Sequence, residues 1–214
     1  MVGQGVLREC LLDSRISEVL MLSRRPSGVA DVKVREIVRE DLGDLQSLAP
    51  TLRGFDACFF CLGVSSAGMK EADYRRVTYD LTLGSARTLA AENPAMTFIY
   101  VSGAGTDSTE KGRSMWARVK GQTENALLRL PFKAVYLLRP GLIQPLHGIK
   151  SKTPVYRLIY AVGGPLIALL KVAAPGMVTT TERIGRAMIE LATRGADERV
   201  LENREINWVA LGRG

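Results

Sequence analysis

Histidine occurs once and cysteine three times in these 214 residues, and both scarcities exclude chemistry. Three thiols are too few for a disulfide scaffold. Cys58-Phe-Phe-Cys61 spells C-x-x-C, but it lies inside "DACFFCLG", which reads as a strand. Positions three apart on a strand point to opposite faces, which suits neither a redox pair nor a zinc knuckle. The thiols therefore read as buried apolar groups, and a reducing, cytoplasmic setting is the expectation. His147 stands in the Pro145–Gly148 loop with no visible partner, and no metal site is expected.

Lys plus Arg outnumber Asp plus Glu by 29 to 22, a net +7, yet there is no long basic run and no interleaved aromatic platform. The basic residues are scattered, with doublets at Arg24-Arg25 and Arg75-Arg76, so nucleic acid is not an expected partner. No membrane-length apolar run is present. "LIYAVGGPLIALL" from Leu158 to Leu170 is short, flanked by Arg157 and Lys171, and interrupted by Gly-Gly-Pro, which favours a lid or partner surface over a span. A signal peptide is not read either, because Gly and Gln stand where its apolar core would be.

What is there is an ordinary globular composition, 46% apolar and 24% charged, in a length that suits one domain. The chain opens "MVGQGVLRECLLD", where Val2, Val6 and Cys10, with Leu7 and Leu11, form one apolar stripe of a helix. Strands are read at 17–24, 33–40, 56–63, 96–105 and 133–141, with the third covered on both faces because its apolar run is continuous. A short helix ends at Pro50; longer ones cover 71–92, 114–130 and 179–195. The last carries a capping box from Thr179 to Glu182, a stripe of Ile184, Met188, Leu191 and Ala192, and a terminating Gly195. Between them, 142–178 is less regular and holds four prolines. Alternating strands and helices imply parallel βαβ units and a doubly wound α/β sheet.

In such sheets ligands bind beyond the carboxyl ends of the strands. After the first strand come Ser23, Arg24 and Arg25, where a plain ribose would call for a carboxylate. Two arginines suit a 2′-phosphate instead, since guanidinium meets phosphate through paired charge-assisted hydrogen bonds. One such contact, about 1.5–3 kcal/mol, favours NADP over NAD by roughly 10- to 150-fold. The following strand ends carry Asp41-Leu42, positioned for an adenine, then Leu62-Gly63, Ser102-Gly103-Ala104-Gly105, and Pro140-Gly141-Leu142-Ile143.

The segments "CLGVSSAG", "YVSGAG", "WARVKGQTE" and "LLRPGLI" resemble the atypical short-chain dehydrogenase/reductase superfamily, in its NAD(P)-binding epimerase/dehydratase-like branch. The resemblance runs over about 2–206 and implies a single Rossmann-like NAD(P)-binding domain over 1–214, with 142–178 as a substrate-side or lid region. In that family a G-x-x-G-x-x-G motif links strand one to helix one. "MVGQG" is similar to its tail, with Gly3 as the third glycine, while the first strand has no counterpart here. An absent central strand implies a gap of two spacings of about 4.8 Å each, or a closed-up sheet. The expectation is that the natural protein starts some ten residues upstream of Met1.

The family's catalytic pattern is Ser, then Tyr-x-x-x-Lys. Position matching gives Ser102 and Lys120, with Trp116 where the tyrosine belongs. An indole N–H donates a hydrogen bond but exchanges no proton near neutral pH. Tyr79 and Tyr100 are the nearest substitutes, and both read better as packed residues. The resemblance implies NADPH held by Gly3, Arg24, Arg25, Asp41, Leu42, Leu62, Gly63, Lys120, Pro140 and Ile143. Substrate, an unidentified small carbonyl or hydroxyl compound, would enter over Ser102 and Trp116. Three readings stand: a reductase- or epimerase-like enzyme with altered chemistry, a non-catalytic NADPH sensor or interaction protein, and a chain that binds no nucleotide because its pyrophosphate loop is incomplete. Similar proteins pair long helices between subunits, so a homodimer built on 71–92 and 114–130 is a further expectation.

Overall fold

The computed structural model describes residues 1–149 and 175–212. Helix α1 (Val2–Leu12) buries Val6 and Cys10 from the expected stripe. Strands β1 (Val19–Ser23) and β2 (Val34–Val38) follow and pair in parallel, Val19 opposite Val34 and Ser23 opposite Val38. The short helix before β3 is a 3-10 helix, Gln46–Leu52, and contains Pro50 rather than ending at it. Strand β3 (Ala57–Phe60) leads to α2 (Glu71–Arg75) and α3 (Leu81–Glu92). One π turn, Arg76–Asp80, joins these two, so the helix expected over 71–92 is continuous but locally widened.

Strand β4 (Thr97–Val101), α4 (Met115–Leu127) and β5 (Ala134–Arg139) then alternate as expected. β6 (Leu142–Gln144) pairs in parallel with β7 (Val178–Thr180), and α5 (Thr181–Thr193) follows. The α5 N-cap is Thr180, whose side chain accepts from Arg183 N, and not Thr179, which is buried inside β7. A final strand β8 (Val200–Glu202) and helix α6 (Asn203–Val209) were not read from the sequence, because three residues are too few to show a period. The 158–170 segment lies outside the described residues, and none of the described helices is long and apolar enough to cross a membrane.

Strands β3, β4, β5 and β8 form one parallel sheet in the order β3-β4-β5-β8. Alternation sends Ile99, Tyr136, Leu138 and Leu201 to one face, under Val6, Ile184, Met188 and Ile206. Phe60, Phe98, Tyr100 and Leu137 go to the other, under Leu45, Leu83, Leu89 and Leu127. Helices thus cover both faces, as a doubly wound sheet requires. Cys58 packs in the second cluster and Cys61 against the first, so the C-x-x-C pair is split across the sheet. Burial pushes both thiols up to about 12.

β1 and β2 stand as a separate two-stranded sheet, with no ladder to β3 among the described residues. Val19 shares the first cluster with Phe59, while Leu20 and Leu22 share the second with Cys58, so the ribbon lies beside β3 across a break. That break explains β3's burial. Its two faces are covered, yet Ala57, Cys58 and Phe59 are only half-buried, whereas the first four residues of β4 are buried. A strand paired on one edge exposes the other.

Candidate active site

Helix α1 starts against the end of β3, where a Cβ on Gly3 would stand 3.4 Å from the Cys61 Cβ. Gly5 does a different job. A Cβ there would meet Thr181 Cβ at 2.5 Å and Thr181 O at 2.8 Å, so this glycine lets α1 pack closely on α5. No side chain caps α1 at Met1. At neighbouring strand ends, Gly63 and Gly103 have open space where a side chain would be.

Beyond β1, Arg24 and Arg25 are exposed and make no ion pair among the described residues. Asp41 accepts from Gly43 N at 2.7 Å and remains exposed. Leu42 is buried, with its carbonyl accepting from the Ser85 hydroxyl, so it supports the turn from beneath. Leu62 is half-buried against the second core cluster. Pro140 offers its carbonyl to Ala104 N at 3.0 Å, tying the loops after β4 and β5 together. Ile143 lies in β6, packed on the first core cluster.

Ser102 is buried, and its Oγ lies 3.1 Å from Thr106 Oγ1. Thr106 donates its own proton to Gly103 O at 2.8 Å, so in this arrangement Ser102 donates to Thr106 and offers only acceptor lone pairs elsewhere. Trp116 begins α4 half-buried, its ring edge against Gly105, where a Cβ would be 3.4 Å away. One turn on, the Lys120 ammonium lies 5.5 Å from the Tyr100 ring centroid. It makes no hydrogen bond or ion pair among the described residues. Tyr100 is fully buried and its hydroxyl is pushed far up by burial, a core residue as its place two before Ser102 implies. Tyr79 sits in the π turn with the Arg75 guanidinium 4.1 Å above its ring, which also marks it as packed.

Burial pushes Lys120 down from 10.5 to about 8, opposed by the Glu124 carboxylate. A depressed lysine pKa means that the folded chain gives up its proton before the unfolded chain does. Below about pH 8 the burial penalty is present in full, and between pH 8 and 10.5 stability rises with pH. Lys120→Met is therefore expected to raise Tm at pH 7, with the gain shrinking as pH climbs through that window. Thermal melts of both chains at pH 7, 8.5 and 10 give the comparison.

His147 has a partner that the sequence did not reveal. Its Nε2 lies 2.7 Å from Glu182 Oε2, across 35 positions of chain that the β6–β7 pairing brings together. Asn203 was also missed. It accepts from Gly141 N at 2.9 Å and donates to Gly176 O at 2.8 Å, beside a cavity of about 450 Å³ lined by Ala104, Leu142, Met177 and Arg204. The cavity opens at the carboxyl ends of β4 and β5, on the same edge as Ser102.

Comparison with solved structures places this architecture. MoeE5 in complex with UDP-glucuronic acid and NAD superposes with a TM-score of 0.65 at 18% identity, covering 93% of this chain and 71% of that one. An oxidoreductase of the short-chain dehydrogenase/reductase family from Burkholderia thailandensis gives 0.63 at 16%, covering 96% and 88%. The fold is Rossmann-like. Pal from Bacillus thuringiensis gives a TM-score of 0.65 at 12% identity, over 99% of this chain and 80% of that one.

No family model matches the sequence. Among curated proteins, fmp52-1 of Aspergillus oryzae, named as mitochondrial, is 26% identical over 219 residues, covering 99% of this chain and 90% of its own. The mitochondrial fmp52 of Aspergillus fumigatus is 28% identical over 221 residues, covering 99% and 91%. Leucinostatins biosynthesis cluster protein T of Purpureocillium lilacinum is 29% identical over 159 residues, covering 71% and 58%. The mitochondrial names overturn the cytoplasmic expectation. That expectation rested on free thiols, which report a reducing environment and carry no address.

Proposed function

We propose that this chain is an NADP-binding protein of the short-chain reductase type, acting on a small carbonyl or hydroxyl compound with an altered proton-transfer site. The observation that carries the reading is Lys120: a largely buried ammonium at the sheet's carboxyl edge, with no protein acceptor among the described residues. A buried donor of this kind needs an acceptor, and two ribose hydroxyls provide one. The open space at Gly63 and Gly103, and Arg24 and Arg25, exposed and in no ion pair among the described residues, fit the remaining parts of a dinucleotide. Several solved neighbours carry NAD in their names, and the arginines argue for the 2′-phosphorylated form here.

A nicotinamide dinucleotide, when bound, supplies hydride transfer. The chain's own residues divide the other tasks. Lys120 holds ribose, Ser102 accepts a hydrogen bond from a substrate hydroxyl, Trp116 walls the cleft, and the cavity beside Asn203 receives the rest of the substrate. Trp116 also favours a second reading, a non-catalytic NADPH sensor, because the indole at the tyrosine's matched position exchanges no proton near neutral pH.

Fluorescence titration of the chain with NADPH and with NADH tests the cofactor. Saturable binding favouring NADPH by roughly tenfold or more is expected from one guanidinium–phosphate contact. Equal affinities, or no binding, would overturn the assignment.

A further inference from the structure

Glu36 lies at the centre of β2, and its carboxylate reaches across to the turn that follows β1. Oε1 accepts from Ser23 Oγ at 2.7 Å and from Ser27 N at 3.0 Å; Oε2 accepts from Ser27 Oγ at 3.0 Å and Ser27 N at 3.2 Å. Ser23 Oγ also lies 2.8 Å from Arg25 O, and Val29 N donates to Ser27 Oγ at 3.1 Å. The five residues 23–27 are thereby folded around one side chain from the neighbouring strand. The Ser23 hydroxyl and the Ser27 donors hold the Glu36 carboxyl below the usual carboxylate range, so it is charged at neutral pH.

An acid beside two arginines would ordinarily pair with one of them. Here it does not: its oxygens meet a hydroxyl and an amide, while Arg24 and Arg25 stay exposed and unpaired among the described residues. We infer that Glu36 is the residue that sets cofactor preference, by folding the Ser23–Ser27 turn so that Arg24 and Arg25 are presented together to a ligand's 2′-phosphate. It is a positioning residue, acting through the two arginines and touching no ligand itself. The inference rests on the NADP reading above and deepens it.

Two accounts of Glu36 predict opposite results. If it acts only as a negative charge near the phosphate site, removing the charge tightens NADPH whether Ala or Gln replaces it. If it positions the turn, Glu36→Ala loses about tenfold in NADPH affinity, the value of one charge-assisted contact, and leaves NADH nearly unchanged. Glu36→Gln retains one carbonyl acceptor for Ser23 or Ser27 and is expected to stay within about threefold of the parent. Ser27→Ala removes a donor from the turn side and gives a smaller loss in the same direction, which keeps the test open if Glu36→Ala misfolds.

The experiment is parallel NADPH and NADH fluorescence titration of the parent chain and these three variants, with a thermal melt of each. Selective loss of NADPH in Glu36→Ala, recovered by Gln, supports the inference. A parent that favours NADPH while Glu36→Ala matches it or binds more tightly overturns the positioning role alone. Equal loss of both nucleotides in Glu36→Ala overturns it too, as general damage. A parent that prefers NADH or binds neither overturns the cofactor reading and this inference with it.

Discussion

Glu124→Leu is expected to destabilise the chain by about 3–5 kcal/mol, because it leaves a buried guanidinium without its counter-charge. Glu124 is 1% exposed on the sheet-facing side of α4, and Arg139 ends β5 at 9%. Arg139 Nε donates to both Glu124 oxygens at 3.1 and 3.2 Å, and its Nη2 reaches Glu124 and Ser108 Oγ. The remaining acid, Glu202, meets Nη1 at 3.2 Å but is half-exposed and compensates weakly. At roughly 2–4 °C per kcal/mol for a chain of this size, the melt should fall by about 10 °C. Breaking a buried pair costs more than replacing it. The double variant Glu124→Leu/Arg139→Met should therefore recover most of the loss. If the single variant melts within a degree or two of the parent, the pair is not carrying the packing of α4 on β5.

Gly121→Ala carries the second-largest expected effect, although alanine is the better helix former. In an exposed helix the exchange gains about 1 kcal/mol. Here a Cβ on Gly121 would overlap the carbonyl of Asp107, which is backbone and has nowhere to retreat. Asp107 is fixed from several sides: its N donates to Ala117 O at 3.1 Å, and its carboxylate accepts from Thr109 N and Gly112 N. Asn125 and Arg118 hold the same loop, at Ser108 O and Gly112 O. Overpacking against such a loop costs about 1–3 kcal/mol or more, so the net expectation is a fall of about 5 °C in Tm. The loop also carries Thr106, the partner of Ser102, so nucleotide or substrate binding should weaken alongside stability. A melt equal to or above the parent's would show that the loop yields.

The layer order was legible because strands such as "TFIYV" and "AVYLLR" are long enough, and apolar enough, to declare their period. β8 was not, with three residues and one buried side chain between an exposed loop and α6. Strand-end residues such as Arg24, Arg25, Ser102 and Lys120 could be read because the fold class says where ligands bind. Residues that act across the fold were invisible. Glu36 alternates like any half-exposed strand residue, and nothing near it announces Ser23 and Ser27 as its donors. Arg139 closes an otherwise apolar strand with a charge, but nothing in the strand itself names Glu124 as its buried partner. The close contact between α1 and α5 was equally silent: nothing around Gly5 in the sequence points to Thr181 as its neighbour.

The break between β1 and β3 has a mechanical consequence. Arg24 and Arg25 follow β1 of the two-stranded ribbon, whereas Ser102 follows β4 of the four-stranded sheet and Lys120 stands on α4, over Tyr100 of that sheet. Among the described residues no backbone ladder joins β1 to β3 along this seam; Leu20 and Leu22 meet Cys58 there by packing, and packing shears more readily than a hydrogen-bonded ladder parts. A dinucleotide that reached from the arginines to Lys120 would act as a strap across the seam. Part of its binding energy would then be spent on stopping relative motion, and the strapped molecule would resist unfolding as one unit.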